Sequence, residues 1–600
     1  MSSHALQDSV WRPKAYPAQE WTGDSLNQSA QLQESELPER FPTTIQAVQD
    51  SRAPYPGGRT LIICLDGTGD KFDNDNSNVV NFVACLKKDD PSQVTYYQSG
   101  IGTYDGQGLK NGFSAGIDMA IGSSLGIHVK DAYAFLMQNY REGDKICLLG
   151  FSRGSYTVRC LAGMLHKVGL LPAYNHAQIH YAYQFYKNDT REGWKMSAEF
   201  KRTFSIDVDV YFVGVWDCVA SVGFIPRKLP FSKSPTSSIC YFRHAMALDE
   251  HRAKFKVCQW QHQDPAAAQV PVVDKTPKAK VKAEKVKVKA KKEKSRSQVR
   301  RVFGSCFGSK PNPEFNGGSE KRTSTSSTSS LSELKKFEQQ LNNFEEKKDR
   351  DQDKYEAKFD KQNHSVHKHK ASDVLEVWFA GAHADVGGGA VANEERHMLS
   401  RIPLRWMIRQ CFETNTGILF STAALAETGI DIPTVWPTYL TPKKPVVGPS
   451  PTTVEKYESG SLPPIKRRST ALGVDRDAKK SDMLAEFSRA HGYTEKQRRR
   501  LEAELLPEHV EDHFDAMAPI NDQLVLAKGW WVLEAWPVKV RIQKRGTEEW
   551  EKVVRMNLGR YRAIREIEPQ LHWTVQMRMN DKGYKIRNRV DREAIWQTAI

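Results

Sequence analysis

Residues 150–154, Gly-Phe-Ser-Arg-Gly, place one serine hydroxyl between two glycines. An apolar run, residues 146–149, comes before them and an amphipathic pattern follows, which predicts a strand that turns directly into a helix. A serine on such a turn has a strained backbone, so small residues such as Gly150 and Gly154 are needed two positions before and after it. Ser152 is therefore a candidate nucleophile, and an ordinary glycine-rich turn is the alternative.

A serine hydroxyl becomes a useful nucleophile when a base accepts its proton and an acid orients that base. Asp217 ends the apolar run VYFVGVWD, and His383 ends the run VWFAGAH. The order serine, acid, histidine is one of the chain orders known for such a triad. Asp249 and Asp385 are alternative acids. It is also open whether Asp217 caps a helix and whether His383 only shapes a turn.

The oxyanion that forms during acyl transfer needs preorganised N–H donors. One is expected from the amide of Arg153, which follows the serine, and another from Gly67 or Thr68 in the glycine-rich loop after an earlier strand. The stretch ICLDGT also resembles the D-x-D-G-T signature of aspartate-nucleophile phosphatases, but Cys64 replaces the first aspartate and leaves Asp66 without that partner. The triad chemistry is expected to need no metal and no organic cofactor.

Strands and helices alternate around these residues. Short apolar runs predict strands at TLIICL, VTYYQ, KICLLG, IDVDVYFVGVWD and VLEVWFA, and helical spacing predicts helices at GIHVKDAYAFLMQNY, SYTVRCLAGMLHKVGLL and IPLRWMIRQCFE. This alternation predicts an α/β fold with a doubly wound, mostly parallel sheet and helices on both faces. Functional groups of such sheets collect outside the carboxyl ends of the strands, which is where the candidate residues lie.

Low-complexity segments divide the chain. The predicted organisation is a disordered leader at 1–57, the first part of the core at 58–262, a basic and Ser-rich insertion at 263–372, the second part of the core at 373–442, a linker at 443–480, and a small C-terminal helical and aromatic cap or subdomain at 481–600. A long disordered insertion is compatible with one core, because loop-closure entropy grows slowly with loop length.

The net charge of +15 is unevenly distributed. The lysine tract, residues 275–301, carries thirteen Lys or Arg against two Glu, a surplus of eleven. The rest of the chain is nearly balanced, which argues against nucleic acid as a partner. The tract is interpreted first as a solvated loop, and peripheral contact with an anionic membrane is the alternative.

Other features restrict the class of protein. The nine cysteines show no paired spacing, so neither a zinc site nor a disulfide framework is predicted. The N-terminal segment does not have the pattern of a secretory signal, and no run reaches eighteen apolar residues. The expected location is therefore intracellular and cytoplasmic.

A set of blocks together resembles a known family. They are LDGTG, GFSRGSYTVRCLAG, VGVWDCVASVG, RHAMALDEHR and VWFAGAHADVGGG, in this order. The set is similar to the α/β-hydrolase domain of type VI secretion phospholipase effectors and many uncharacterised fungal and bacterial proteins. The resemblance implies a Ser152–Asp217–His383 hydrolase that acts on carboxylic esters, with phospholipids as substrates in the effector branch. The toxin role is not carried over, because no secretion signal is predicted.

The leading functional hypothesis is a serine esterase or lipase that works through an acyl-enzyme, with an ester or phospholipid as substrate. The alternative is a catalytically silent scaffold of the same fold that binds partners or anionic surfaces through its basic insertion. The sequence does not predict an oligomeric state.

Overall fold

A computed structural model of the chain describes residues 41–55, 57–100, 115–220, 229–232, 238–260, 351–359, 372–445, 448–472, 474, 505–535, 537–543, 550–591 and 593–600. The strands are β1 (Thr44–Gln46), β2 (Thr60–Leu65), β3 (Gln93–Gln98), β4 (Lys145–Phe151), β5 (Val210–Trp216), β6 (Ile239–Ala247), β7 (Asp373–Phe379), β8 (Leu419–Ser421), β9 (Pro537–Gln543), β10 (Trp550–Met556), β11 (Ala563–Ile564), β12 (Gln570–His572), β13 (Arg589–Val590) and β14 (Gln597–Ala599).

Within these residues, eight strands form one sheet in the order β14-β12-β7-β6-β5-β4-β2-β3. Every neighbouring pair in this sheet is parallel. The first strand of this sheet along the chain is β2. The next strand, β3, pairs with one side of β2, and β4 pairs with the other side, so the order in which strands are added reverses at β2. Such a reversal opens a crevice at the carboxyl ends of the strands.

The helices are α1 (Asn78–Cys85), α2 (Ala115–Asn139), α3 (Ser152–Val168), α4 (His176–Lys187), α5 (Arg191–Phe204), α6 (His383–Gly387), α7 (Arg401–Glu413), α8 (Thr422–Glu427), α9 (Pro451–Glu458), α10 (Arg467–Ala471), α11 (Glu508–Ala516), α12 (Gln523–Leu526), α13 (Trp531–Glu534) and α14 (Trp573–Lys582). None of the helices in the described ranges combines the length and apolar character that a membrane span requires.

The helices cover both faces of the sheet, as β2 illustrates. Its residues Leu61, Ile63 and Leu65 belong to a buried cluster that includes residues of α2, α3 and α4. The residues between them, Ile62 and Cys64, belong to a second cluster that includes residues of α1, α7 and α8. Successive strand side chains point to opposite faces, so a strand buried on both sides must be apolar throughout. The predicted doubly wound α/β fold is confirmed.

Sequence reasoning did not identify β6. This strand lies between β5 and β7, and it contains Arg243 within an otherwise largely apolar run. The Arg243 guanidinium is buried because it pairs with Asp373 at 3.0 Å and donates to Gln410 at 2.6 Å. A charged residue can occupy a central strand when such partners satisfy it, but the partners are not visible from the local pattern.

The predicted leader extends too far. Residues 41–55 are ordered against the core, because β1 pairs antiparallel with β8 and Ile45 is buried. A three-residue strand has too few residues to show a period, and its stability comes from remote pairing. Residues 1–40 lie outside the described residues.

The predicted linker at 443–480 is also wrong in part. It contains α9 and α10, and Arg468 of α10 is buried and pairs with Asp431 at 2.5 Å. The C-terminal region adds more than a cap, because β12 and β14 extend the central sheet beyond β7. Local composition does not reveal strands this short or ion pairs between distant residues, so neither was predicted.

The chain divides into two units. One is formed by residues 1–263 and 358–600, and the other by residues 264–357. Of the second unit, residues 351–357 are described, and they are helical. The predicted boundaries 263–372 stay a prediction, and the lysine tract lies outside the described residues.

Candidate active site

Ser152 lies where β4 ends and α3 begins. Its φ angle is 56°, a left-handed conformation that is costly for a residue with a side chain. The flanking glycines are required by close approach. A Cβ on Gly154 would overlap the carbonyl oxygens of Leu65 and Asp66, and a Cβ on Gly150 would lie 2.8 Å from the backbone of Gly154. Ser152 is therefore held on a strained strand-to-helix turn rather than within a relaxed helix.

His383, the first residue of α6, is brought to this serine by the short turn that follows β7. Its Nε2 atom lies 2.7 Å from Ser152 Oγ, although 231 positions separate the two residues. Its ring lies between two aromatic side chains, with centroid distances of 4.7 Å to Phe151 and 4.8 Å to Phe255. These contacts restrict the orientation of the imidazole, and His383 is 6% exposed.

Asp217 completes a hydrogen-bonded chain of three side chains. It directly follows β5, adopts φ 39°, and its Oδ2 atom lies 2.5 Å from His383 Nδ1. The amide of Ala247 donates to its other oxygen, Oδ1, at 2.9 Å. The N-cap alternative does not apply, because β5 is followed by a bend and an isolated bridge at Val219.

The two alternative acids serve the turn before His383. Asp249 accepts hydrogen bonds from the Gly381 amide at 2.7 Å and from Tyr584 at 2.9 Å. Asp385 accepts from the amide of Ala382 at 2.8 Å and from Asn521. Neither carboxylate takes the position on the imidazole that Asp217 occupies.

The electrostatics keep the imidazole neutral and its partner ionised. Burial lowers the pKa of His383 below its ordinary value of 6.5, and the hydrogen bond to Asp217 only partly counteracts this effect. Burial also works to raise the pKa of Asp217, but the guanidinium of Arg562 and the contact with His383 outweigh it. The pKa of Asp217 is therefore held well below its usual range. A neutral imidazole beside a hydroxyl can accept its proton.

The predicted oxyanion donors differ in their positions. Arg153 follows the serine in the first turn of α3, so its amide is one of those at the N-terminus of this helix. Gly67 is close enough that a Cβ on it would lie 3.2 Å from Ser152 Cβ, but its amide donates to Asp66 Oδ1 at 2.9 Å. In the described structure a neighbouring carboxylate thus occupies the Gly67 donor, and the role of Gly67 in the oxyanion hole stays a prediction. Thr68 stays a candidate, and its Oγ1 is buried without a hydrogen-bond partner among the described residues.

The phosphatase alternative has little support in the geometry. Asp66 is buried and accepts a hydrogen bond from Tyr97 at 2.9 Å, besides the one from Gly67. Burial raises the pKa of Asp66, which disfavours the ionised form that a nucleophile requires. Among the described residues, no cluster of three or more His, Cys, Asp or Glu side chains could hold a metal ion.

Sequence reasoning missed Arg562, which forms an ion pair with Asp217 at 2.6 Å. It also gave no role to Glu250, whose carboxylate accepts from the His383 amide at 3.4 Å, or to Arg252, which pairs with Glu250 at 2.7 Å. Glu250 and Arg252 lie in the block RHAMALDEHR, so the sequence did contain a signal for their proximity to Ser152, Asp217 and His383. The sequence contained no such signal for Arg562, because local sequence does not distinguish a buried arginine from an exposed one.

Residues 59–410 match the family described as T6SS, phospholipase effector Tle1-like, catalytic domain. An uncharacterized protein of Saccharomyces cerevisiae is 27% identical over 586 residues, which cover 88% of this chain and 80% of that protein.

Two solved structures are also similar. One is an uncharacterized protein from Pseudomonas aeruginosa, with 14% identity and a TM-score of 0.28 over 78% of this chain and 63% of that one. The other is the Tle1 effector bound to the VgrG spike of the type 6 secretion system, with 17% identity and a TM-score of 0.20 over 35% of this chain and 49% of that one. The chain thus spans less than two thirds of either solved chain.

Proposed function

The chain belongs to the family of Tle1-like phospholipase effector catalytic domains, and from this premise we propose that it hydrolyses the acyl esters of lipids through a serine nucleophile. One observation carries the proposal. The side chains of Ser152, His383 and Asp217 form a continuous hydrogen-bonded chain at 2.7 and 2.5 Å, with the serine on a strained turn. The secretion and effector roles in the family description belong to relatives and are not extended to this chain.

The proposed reaction begins when His383 Nε2 takes the proton of Ser152 Oγ as the oxygen attacks the ester carbonyl. The imidazolium is stabilised by Asp217, and the oxyanion is stabilised by the amide of Arg153 and by donors of Thr68. When the C–O bond of the ester breaks, His383 returns the proton to the leaving alcohol and Ser152 carries the acyl group. Water, activated by the same imidazole, then releases the carboxylic acid and restores the serine.

A lipid substrate is favoured by the surface beside the triad. Phe255, which packs on His383, also packs edge-to-face on Trp530 at 5.4 Å between ring centroids. Trp530 lies between α12 and α13. We call the segment that contains these two helices, residues 523–534, the apolar rim. Its exposed apolar side chains are Val525, Leu526, Trp531 and Val532, of which Val532 is 71% exposed. Exposed apolar clusters of this kind commonly mark lipid or partner contacts.

We therefore extend the proposal to contact between the apolar rim and a lipid surface, so that a lipid ester enters the site from the membrane. Tryptophan is enriched at the membrane–water interface, and Trp and Leu side chains are typical of surfaces that bury into the boundary between headgroups and acyl chains. The lysine tract, for which contact with an anionic membrane is the alternative to a solvated loop, lies outside the described residues and does not carry this part of the proposal.

The proposal is tested with the full chain and a fluorophosphonate probe, together with vesicles of phosphatidylcholine and phosphatidylserine. We expect the wild-type protein to be labelled and to release fatty acid, and Ser152→Ala to lose both activities. Ser197→Ala is the matched control, because Ser197 is a buried helical serine that bonds Gly193 at 2.7 Å, away from the triad.

The outcomes separate the competing functions. Folded wild-type protein that is never labelled favours the silent scaffold. Labelling and hydrolysis of p-nitrophenyl esters without fatty-acid release from vesicles contradict the lipid substrate but retain the serine esterase. Labelling that survives Ser152→Ala contradicts the choice of nucleophile.

A further inference from the structure

The guanidinium of Arg562 forms a bidentate ion pair with the carboxylate of Asp217. Nη1 donates to Oδ1 at 2.6 Å, and Nη2 donates to Oδ2 at 2.8 Å. The remaining donors are also used, since Nη1 reaches the Ala247 carbonyl at 3.0 Å while Nε and Nη2 reach the Phe255 carbonyl at 3.0 and 2.6 Å. Both members of the pair are buried, so the arginine has no role as a surface charge.

The segment that carries Arg562 is fixed against the rim of the site. The ring of Tyr561 stacks on His251 with 4.6 Å between centroids and an angle of 8°. His251 Nε2 lies 2.9 Å from Asp522, and the carbonyl of Arg562 accepts from Asn588. A guanidinium on such a support is preorganised for a bidentate contact with a carboxylate.

Arg562 lies 345 positions after Asp217 and outside residues 59–410, which match the family. The carboxylate that orients the imidazole is thus itself oriented by a part of the chain beyond the matched domain. The Ala247 amide also donates to Asp217 Oδ1. This single hydrogen bond does not by itself fix the rotation of the carboxylate.

Resting on the proposed function, we propose that Arg562 is a positioning residue of the triad: it fixes the Asp217 carboxylate toward His383 and partly offsets its negative charge. The C-terminal region therefore completes the active site rather than merely covering it. Arg562 touches neither the serine nor the imidazole, so it acts through Asp217.

The charges around His383 determine the sign of the effect. Asp217 faces the imidazole from the end of β5, and Glu250 and Arg252 face it from the loop after β6. Each of the two carboxylates holds one arginine, Asp217 with Arg562 and Glu250 with Arg252. Removing the positive charge at position 562 leaves more uncompensated negative charge beside the imidazole, which favours the imidazolium.

The remaining neighbours do not reverse this sign. From α3, Ser152 contributes an uncharged hydroxyl, and Phe151 and Phe255 contribute uncharged rings. On its own helix, Asp385 is turned toward Asn521 and the amide of Ala382. Loss of Arg562 is therefore expected to raise the pH at which His383 loses its proton.

The test compares wild type, Arg562→Met and Arg562→Lys by the pH profile of kcat/KM on a soluble p-nitrophenyl ester. Arg562→Met is expected to lose about tenfold to hundredfold in kcat/KM through mispositioning, and its acid limb is expected to move up by about one pH unit. Arg562→Lys keeps the charge but not the bidentate contact, so its rate should fall while its acid limb stays near that of wild type.

Arg409→Met is the matched control. Arg409 is another buried arginine that contacts both carboxylate oxygens of its partner, Glu508, at 2.6 and 2.5 Å, and it does not touch the triad. Its loss should lower thermal stability and leave the acid limb in place. Should Arg562→Met not fold, Arg562→Gln replaces it as the uncharged variant beside Arg562→Lys.

A measurement that does not depend on catalysis distinguishes failure of the proposed function from failure of the Arg562 inference. The His383 imidazole is titrated by NMR in histidine-labelled protein, with His383→Gln used to assign its signal. Wild type that is inactive contradicts the proposed function, whereas the Arg562 inference is then decided by this titration alone. Folded uncharged variants that keep both the wild-type rate and the wild-type titration of His383 overturn it.

Discussion

Asp217 Oδ2 and His383 Nδ1 lie 2.5 Å apart, although the residues are separated by 166 positions and follow different strands. The loops after β5 and β7 meet because these strands run parallel and flank β6, so their carboxyl ends share one edge of the sheet. The elbow after β4 opens on the same edge. The parallel sheet thus brings together three side chains that no local interaction could assemble.

Replacement of Asp217 by asparagine should abolish most of the activity. Asparagine keeps the shape but cannot stabilise the imidazolium or select its tautomer, and kcat on a soluble ester is expected to fall by about 10⁴-fold. Stability should also fall, because Arg562 is left buried without its counter-ion. Asp249→Asn is the comparison, and a larger loss of kcat in that variant would contradict the choice of acid.

The acid limb of the wild-type pH profile should have its midpoint below pH 6.5. Burial lowers the pKa of His383 beneath that ordinary value, so the imidazole stays neutral and able to accept a proton in mildly acidic solution. The check is kcat/KM on a soluble ester, with the spontaneous hydrolysis rate subtracted at each pH. A midpoint clearly above 6.5 is incompatible with the environment described for this imidazole.

Gly154→Ala should disrupt the elbow. Its Cβ would overlap the carbonyl oxygens of Leu65 and Asp66, which belong to backbone and cannot swing aside. We expect loss of fluorophosphonate labelling together with a destabilisation of about 1–3 kcal/mol, measured by urea denaturation. Gly448→Ala is the control, because a Cβ at that position meets nothing within 4 Å. Equal behaviour of the two variants would speak against close packing at the elbow.

The stability of the fold should fall in acid partly through His572. Burial lowers the pKa of this histidine to about 3, whereas its ordinary value is 6.5, so the unfolded chain binds the proton more tightly. Its contribution is complete above pH 6.5 and is lost, at about 1.4 kcal/mol per pH unit, as the pH falls toward 3. His572→Gln should therefore show a shallower dependence of unfolding free energy on pH.

The control for this measurement is His180→Gln on α4, where the histidine is exposed. Both variants are unfolded with urea at several pH values, and the difference from wild type isolates the single side chain. A His572→Gln slope identical to that of wild type would mean that this histidine is protonated in the folded protein.

The apolar rim should govern activity on membranes but not on dissolved esters. Val532→Asp places a charge where an apolar side chain is 71% exposed, and we expect about tenfold weaker binding to vesicles. Hydrolysis of a soluble ester should stay near the wild-type rate. Tyr174→Asp, on an exposed turn before α4, is the control and should leave vesicle binding unchanged. Unchanged vesicle binding by Val532→Asp would contradict the proposed contact surface.

Much of the architecture could be predicted because its signals are local. The strands β2, β4 and β5 are short apolar runs with turns after them, and α3 has helical spacing from its first residue. β1, β6 and β12 escaped prediction for other reasons. Two are too short to show a period, and β6 contains charged groups whose partners come from elsewhere in the chain.

What the amino-acid sequence determined by itself is the geometry of residues 150–154, where strand, serine and two small residues are neighbours along the chain. Which of Asp217, Asp249 and Asp385 meets the imidazole, and that Arg562 holds the chosen carboxylate, was decided only by the tertiary structure. Contacts between distant residues depend on the order of strands in the sheet and on the burial free energy of the whole core. Strand order and the burial free energy of the core cannot be deduced from a local sequence pattern, because all parts of the chain contribute to them together.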